Sequence, residues 1–189
     1  MGTIQVQLFT TVDNAVGAPM WTMDYPFTDE MGAAIGQLTT GSATAILLGR
    51  TTWEESGPAW SGRDMADDPG APFFNETAKY VVSGSRTEVD GWNNSTLLGA
   101  YDADAIRRFK DGVDGGIYVF GSTTLVRALL DDGLVDELHL FVYPVALGEG
   151  PTLFGPGTPK RAMTLKSAQS FDNGVVHLAY APNPGTPGA

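Results

Sequence analysis

The sequence predicts an α/β domain in three layers, with a mixed, mostly parallel sheet between two layers of helices. Three observations predict it. Strand-like and helix-like stretches alternate along the chain, which calls for crossover connections between parallel strands. Two of the strand-like stretches, 43–48 and 117–120, are nearly continuous apolar runs, as expected of strands covered on both faces. The last two, 164–171 and 175–180, instead flank Asp172-Asn173-Gly174, a hairpin turn signal, so the sheet should end in an antiparallel hairpin at one edge.

Each element has its own local reason. Ile4, Val6 and Leu8 alternate with Gln5, Gln7 and Phe9, the period of a strand with two different faces. A Gly/Pro-containing loop follows, from Thr11 to about Pro26. Met31, Ala34, Ile35 and Leu38 then have helical spacing, with Thr28 placed as N-cap ahead of Asp29 and Glu30. After the strand at 43–48, Gly49-Arg50-Thr51-Thr52 opens a short helix through Trp53 and Glu55, and 57–72 reads as a loop without periodicity. Strands are expected at 80–83 and 96–98. Asp102 then caps a helix that buries Ala105, Ile106 and Phe109. Past the strand at 117–120, an amphipathic helix over about 124–132 buries Leu125, Val126, Leu129 and Leu130 and is ended by Gly133. A long strand is expected at 138–145. The 189 residues suit one domain, 1–181, followed by a disordered Pro/Gly tail, 182–189.

Composition narrows the chemistry. With 11 Lys+Arg against 22 Asp+Glu, the net charge of −11 repels phosphate backbones, so no nucleic-acid partner is expected. Zero cysteines exclude disulfides, thiolate metal sites and cysteine nucleophiles. His139 and His177 lie far apart in the chain, without ligand spacing, so no metal is expected, and both read as structural histidines in strands. No apolar run approaches the roughly 20 residues of a spanning helix, and the N-terminus lacks a basic segment followed by an apolar block. A cytoplasmic protein with no membrane partner is the expectation.

Two junctions share one design of buried strand, glycine, hydroxyl residues and helix: Gly49-Arg50-Thr51-Thr52 and Gly121-Ser122-Thr123-Thr124. The unsatisfied N–H groups and the dipole of a helix start favour an anion there. The same residues are also simply good helix openings. A third stretch, Ser83-Gly84-Ser85-Arg86, would suit a terminal phosphate such as the 2′-phosphate of NADP, or be an exposed loop with a solvated arginine. Neither G-x-G-x-x-G after a strand nor G-x-x-x-x-G-K-[ST] occurs, which disfavours a Rossmann domain and a P-loop.

Together these residues resemble the dihydrofolate reductase-like superfamily, and more closely the reductase domain at the C-terminal end of bacterial bifunctional riboflavin-biosynthesis deaminase–reductases. The resemblance runs from about Ile4 to Tyr180. Its most specific piece is the helix from Leu125 into Gly133-Leu134-Val135-Asp136-Glu137-Leu138, followed by Pro144-Val145-Ala146-Leu147-Gly148. Thr11-Val12-Asp13-Asn14 looks like the family's Ser-x-Asp-Gly, and Trp21 like its following tryptophan.

The resemblance implies a dihydrofolate reductase-like fold, a homodimer, and reduction of a small pyrimidine- or pteridine-like heterocycle with NADPH. Gly49, Arg50, Thr51 and Thr52 would hold cofactor phosphates, as would Gly121, Ser122, Thr123 and Thr124. Ser83 and Arg86 would sit near the adenosine phosphate, Asp13 beside substrate and nicotinamide, and Trp21 against the substrate. The alternatives are a true dihydrofolate reductase and a homodimer that binds nucleotide without turnover. Asp13 could equally form an Asx turn at the strand exit. Trp21 could equally cover the core. Trp53 and Trp60 read as packing residues, and Arg107, Arg108 and Lys110 as a solvated face. Two departures stand out. The biosynthetic reductases carry a Glu-x-Gly segment where this chain has Phe120-Gly121-Ser122, which bears on a phosphoribosylaminouracil substrate. Their Asp-Gly is here Asp13-Asn14, a mild change because Asn tolerates a left-handed backbone.

Overall fold

The computed structural model describes residues 1–17 and 19–183. Eight strands form one sheet: β1 (Thr3–Thr11), β2 (Ala43–Gly49), β3 (Ala78–Val82), β4 (Ser95–Gly99), β5 (Gly116–Phe120), β6 (Glu137–Tyr143), β7 (Met163–Ser170) and β8 (Val176–Pro182). Their spatial order is β4-β3-β2-β5-β1-β6-β8-β7. The first six run parallel, and β6–β8 and β8–β7 pair antiparallel. This is the expected α/β sheet with its antiparallel hairpin at one edge.

Among the described residues five α-helices cover the two faces: α1 (Asp29–Leu38), α2 (Arg50–Trp60), α3 (Ala71–Glu76), α4 (Ala103–Gly112) and α5 (Thr123–Asp131). One core lies between Ile4, Val6 and Leu8 of β1 and Ile106, Leu125, Val126 and Leu129 of α4 and α5. The other lies between Ile46, Leu48, Tyr118 and Phe141 of the sheet and Met31 and Leu38 of α1, Trp53 of α2 and Phe73 and Phe74 of α3. The caps read from sequence are formed: Thr28 Oγ1 accepts from the Met31 N–H at 3.1 Å, Asp102 Oδ1 from that of Ala105 at 2.6 Å, and Gly133 leaves α5 at φ +65°.

Several expectations are corrected. The stretch 57–72 is not all loop: α2 continues through Pro58 to Trp60, and α3 begins at Ala71. Trp60 stacks on Phe74 with centroids 4.2 Å apart, and this tertiary contact has no local periodicity to announce it. A 3-10 turn, Pro19–Asp24, interrupts the loop after β1. Strand β6 stops at Tyr143, because Pro144 has no N–H to continue a ladder.

Lys110 is not on a solvated face. It is 9% exposed, donates to the Leu134 carbonyl and pairs with Asp136 at 2.5 Å. Asp136 also accepts from the Ile4 N–H at 2.7 Å, so the Gly-Leu-Val-Asp turn anchors the start of β1. His139 and His177, distant in sequence, meet across β6 and β8 with Nδ1 and Nε2 3.0 Å apart. Residues 184–189 of the expected tail lie outside the described residues.

Candidate active site

Six parallel strands deliver their C-terminal ends to one edge of the sheet, the edge where open α/β sheets bind ligands. Gly49, Ser83, Gly121 and Asp13 all lie at or just beyond these ends. The topology therefore gathers the sequence-selected residues, which are scattered over 110 positions of the chain, along one edge.

β2 and β5 are neighbours, and their exits are joined by side chains. The Gly49 N–H donates to Ser122 Oγ at 2.8 Å, and Ser122 Oγ–H donates to Thr52 Oγ1 at 2.7 Å. The glycines serve this joint rather than leaving room for a ligand. A Cβ on Gly49 would come within 2.9 Å of Ser122 Oγ, and one on Gly121 within 3.1 Å of the Thr52 side chain. Gly121 and Ser122 both adopt positive φ, +59° and +55°. Because the Ser122 hydroxyl is committed to the joint, α5 has no side-chain cap, and α2, opened by Gly49, has none either. Two helix N-termini thus present free N–H groups side by side. Thr51 and Thr124 are exposed beside them and Thr123 half-buried.

Arg50 and Arg86 are brought together by a residue not singled out from the sequence. Glu54 Oε2 lies 2.6 Å from Arg50 Nη1, and Oε1 lies 3.2 Å from Arg86 Nε. The Arg86 guanidinium also rests 5.0 Å over the Trp53 ring, which is buried and donates to Ser95 Oγ. The i,i+4 spacing of Arg50 and Glu54 is a legible signal for half of this arrangement. Ser83 is buried, its Oγ accepting from the N–H groups of Ser85 and Arg86. It shapes the turn that projects Arg86.

Asp13 closes the other end of the site. Its Oδ1 accepts from the Thr11 hydroxyl, and its Oδ2 from the N–H groups of Leu147 at 3.0 Å and Gly148 at 2.7 Å. The Thr11 hydroxyl, followed by the Gly148 N–H, holds this carboxyl below its ordinary value, so Asp13 is ionised at neutral pH. Asn14 takes φ +67° and donates to the Phe154 carbonyl, the left-handed conformation its side chain tolerates. Trp21 sits edge-on to Tyr143 at 5.1 Å, in an aromatic group with Phe9 and Tyr25. Asp24, Asp29 and Glu30 lie beyond it, at the entry to α1.

The sheet order, the antiparallel hairpin and the ligand edge define an α/β domain with the dihydrofolate reductase-like fold. The chain belongs to the RibD C-terminal domain family, whose family model matches residues 2–177. It is 29% identical over 102 residues to YyaP of Bacillus subtilis (strain 168), covering 54% of this chain and 53% of that protein. The chain thus spans about half the length of this curated relative. Among solved structures it resembles the Thermotoga maritima diaminohydroxyphosphoribosylaminopyrimidine deaminase/5-amino-6-(5-phosphoribosylamino)uracil reductase at TM-score 0.68 and 12% identity, over 96% of this chain and 57% of that one. It also resembles Enterococcus faecalis dihydrofolate reductase complexed with NADP(H), at TM-score 0.59 and 13% identity, over 96% of this chain and 97% of that one. At such identities the likeness to the solved structures is one of fold.

Proposed function

We propose that this chain is an NADPH-dependent reductase of a small pyrimidine- or pteridine-like heterocycle. The observation that carries the reading is the Gly49–Ser122–Thr52 joint, which sets two side-chain-free helix N-termini next to each other with Arg50 and Arg86 on the same edge. A pyrophosphate fits paired N-termini, and a further phosphate fits a guanidinium held by Glu54 and Trp53. In an acidic chain an anionic ligand needs local positive charge, which Arg50 and Arg86 supply on this edge.

Bound NADPH would supply the hydride; the chain supplies binding and orientation. Main-chain N–H groups of α2 and α5 with Thr51, Thr123 and Thr124 hold the diphosphate, and Arg86 with Arg50 holds the adenosine phosphate. Asp13, kept ionised, accepts from a ring N–H of the substrate and fixes its orientation, while Trp21 covers the ring. The same reading includes a homodimer formed through the exposed edge strand β7, checked by sedimentation.

The test is the melting temperature with and without NADPH and NADH. At 100 times its dissociation constant, NADPH should stabilise the fold by about 2.7 kcal/mol. No shift with NADPH overturns the proposal, and an equal shift with NADH overturns the role of Arg86.

A further inference from the structure

We propose that the substrate side of this site takes a neutral or cationic planar ring that carries no phosphate. The proposal rests on the reductase reading above and narrows its substrate class. It starts from the placement of charge. No lysine or arginine occurs between Met1 and Gly49, and none between Arg127 and Lys160. Those two stretches supply β1, the 3-10 turn, α1, β6 and the loop after it, which are the elements around Asp13 and Trp21. Of the basic residues that bound these stretches, Arg50 pairs with Glu54 and Arg127 donates to the carbonyls of Thr152 and Leu153. The same stretches carry Asp13, Asp24, Asp29 and Glu30, so a phosphate there would meet like charge.

The second observation concerns hydrogen bonding. Trp21 Nε1 and the Tyr143 hydroxyl, from rings packed edge to face, are buried without a hydrogen-bond partner among the described residues, and Tyr143 is fully buried. Gln7, whose Oε1 accepts from the Tyr118 hydroxyl of the same core, leaves its Nε2 as a third such donor among the described residues. Buried polar groups are normally paired, and such groups among aromatic rings are poised for the carbonyl and ring-nitrogen edge of a flat heterocycle. Donors of this kind reward a neutral acceptor, while the carboxylates of the same segments oppose a phosphate. Met20, Met23 and Phe27, more than half exposed, add an apolar rim.

The test is titration calorimetry of the intact protein, without NADPH, against an aminouracil riboside and its 5′-phosphate at low ionic strength. The riboside should bind at least about ten-fold more tightly, as like-charge exclusion requires. Equal or tighter binding of the phosphate overturns the proposal, as does failure of both to bind while NADPH still raises the melting temperature. Failure of NADPH alone to bind would count against the reductase reading and leave the ring preference measurable. Tyr143→Phe separates a ligand role from a packing role. It should raise the melting temperature, because an orphaned hydroxyl is removed, yet weaken riboside binding several-fold. A higher melting temperature with unchanged affinity removes Tyr143 from the site.

Discussion

The N–H that opens α2, on Gly49, is bonded 2.8 Å away to the hydroxyl of Ser122, the residue that opens α5. One hydroxyl therefore ties together two parallel strand exits and withdraws itself from capping its own helix. The stabilisation usually found in an N-cap is given up so that both helix starts keep free donors at the ligand edge.

Removing that hydroxyl should be felt in both stability and binding. Ser122→Ala leaves the Gly49 N–H without its partner, at a cost of about 1–2 kcal/mol in urea unfolding. Ser122→Gly loses the same bond but relieves a left-handed backbone that favours glycine, so its loss should be smaller. Both should weaken NADPH binding, because the two helix starts are no longer held in register. A Ser122→Ala protein of unchanged stability would show that the joint is not formed.

Glu54 sets how much positive charge the edge offers. With Glu54→Gln the group of Arg50, Arg86 and residue 54 goes from one net positive charge to two. NADPH binding should then tighten at low salt and fall more steeply as salt is added, since exposed charges are screened within about 10 Å at 0.1 M. A salt dependence parallel to that of the unaltered protein would mean the arginines do not meet the cofactor.

The fold is largely legible because its strands and helices announce themselves locally: apolar runs at 43–48 and 117–120, caps at Thr28 and Asp102, a turn at Asp172-Asn173-Gly174. The site is legible as a set of residues but not as a set of partnerships. The resemblance implies a phosphate contact for Ser122, while its bond to Gly49 crosses 73 positions of chain and has no local signal. The local sequence places Lys110 on a solvated face, because nothing local reveals that Asp136 meets it at the start of β1. The α3 helix has no local signal for a related reason: six residues with Pro at the start carry too few turns for periodicity, and Trp60 holds them in place from a distance.

Acid should weaken the fold through the histidine pair. Burial lowers the His139 value and brings His177 down to about 4, with His139 adding to the effect on His177. Glu137, itself bonded to Gln5 and near Lys166, faces His139 and opposes its shift. Because the unfolded chain binds these protons more readily, stability is full above about pH 6.5 and is lost as the pH falls toward 4. For His177 the loss should be on the order of 2 kcal/mol. His177→Gln should flatten the profile over that window; an unchanged slope would place the acid sensitivity elsewhere.

The Lys110–Asp136 pair predicts an asymmetry between its two members. Asp136 receives both the Lys110 ammonium and the Ile4 N–H, so Asp136→Ala strands a buried cation and a strand N–H together. The expected cost is about 2–3 kcal/mol, less than for a fully enclosed pair because Asp136 is partly exposed. Lys110→Met replaces the buried stem with an apolar one of similar length and leaves Asp136 its bond to Ile4, so it should cost under about 1 kcal/mol. With Met at 110, Asp136→Ala should become cheaper, since no charge remains to be stranded. Equal costs in both backgrounds, measured by urea unfolding, would mean that Asp136 acts on β1 alone and that the ammonium finds its counter-charge elsewhere.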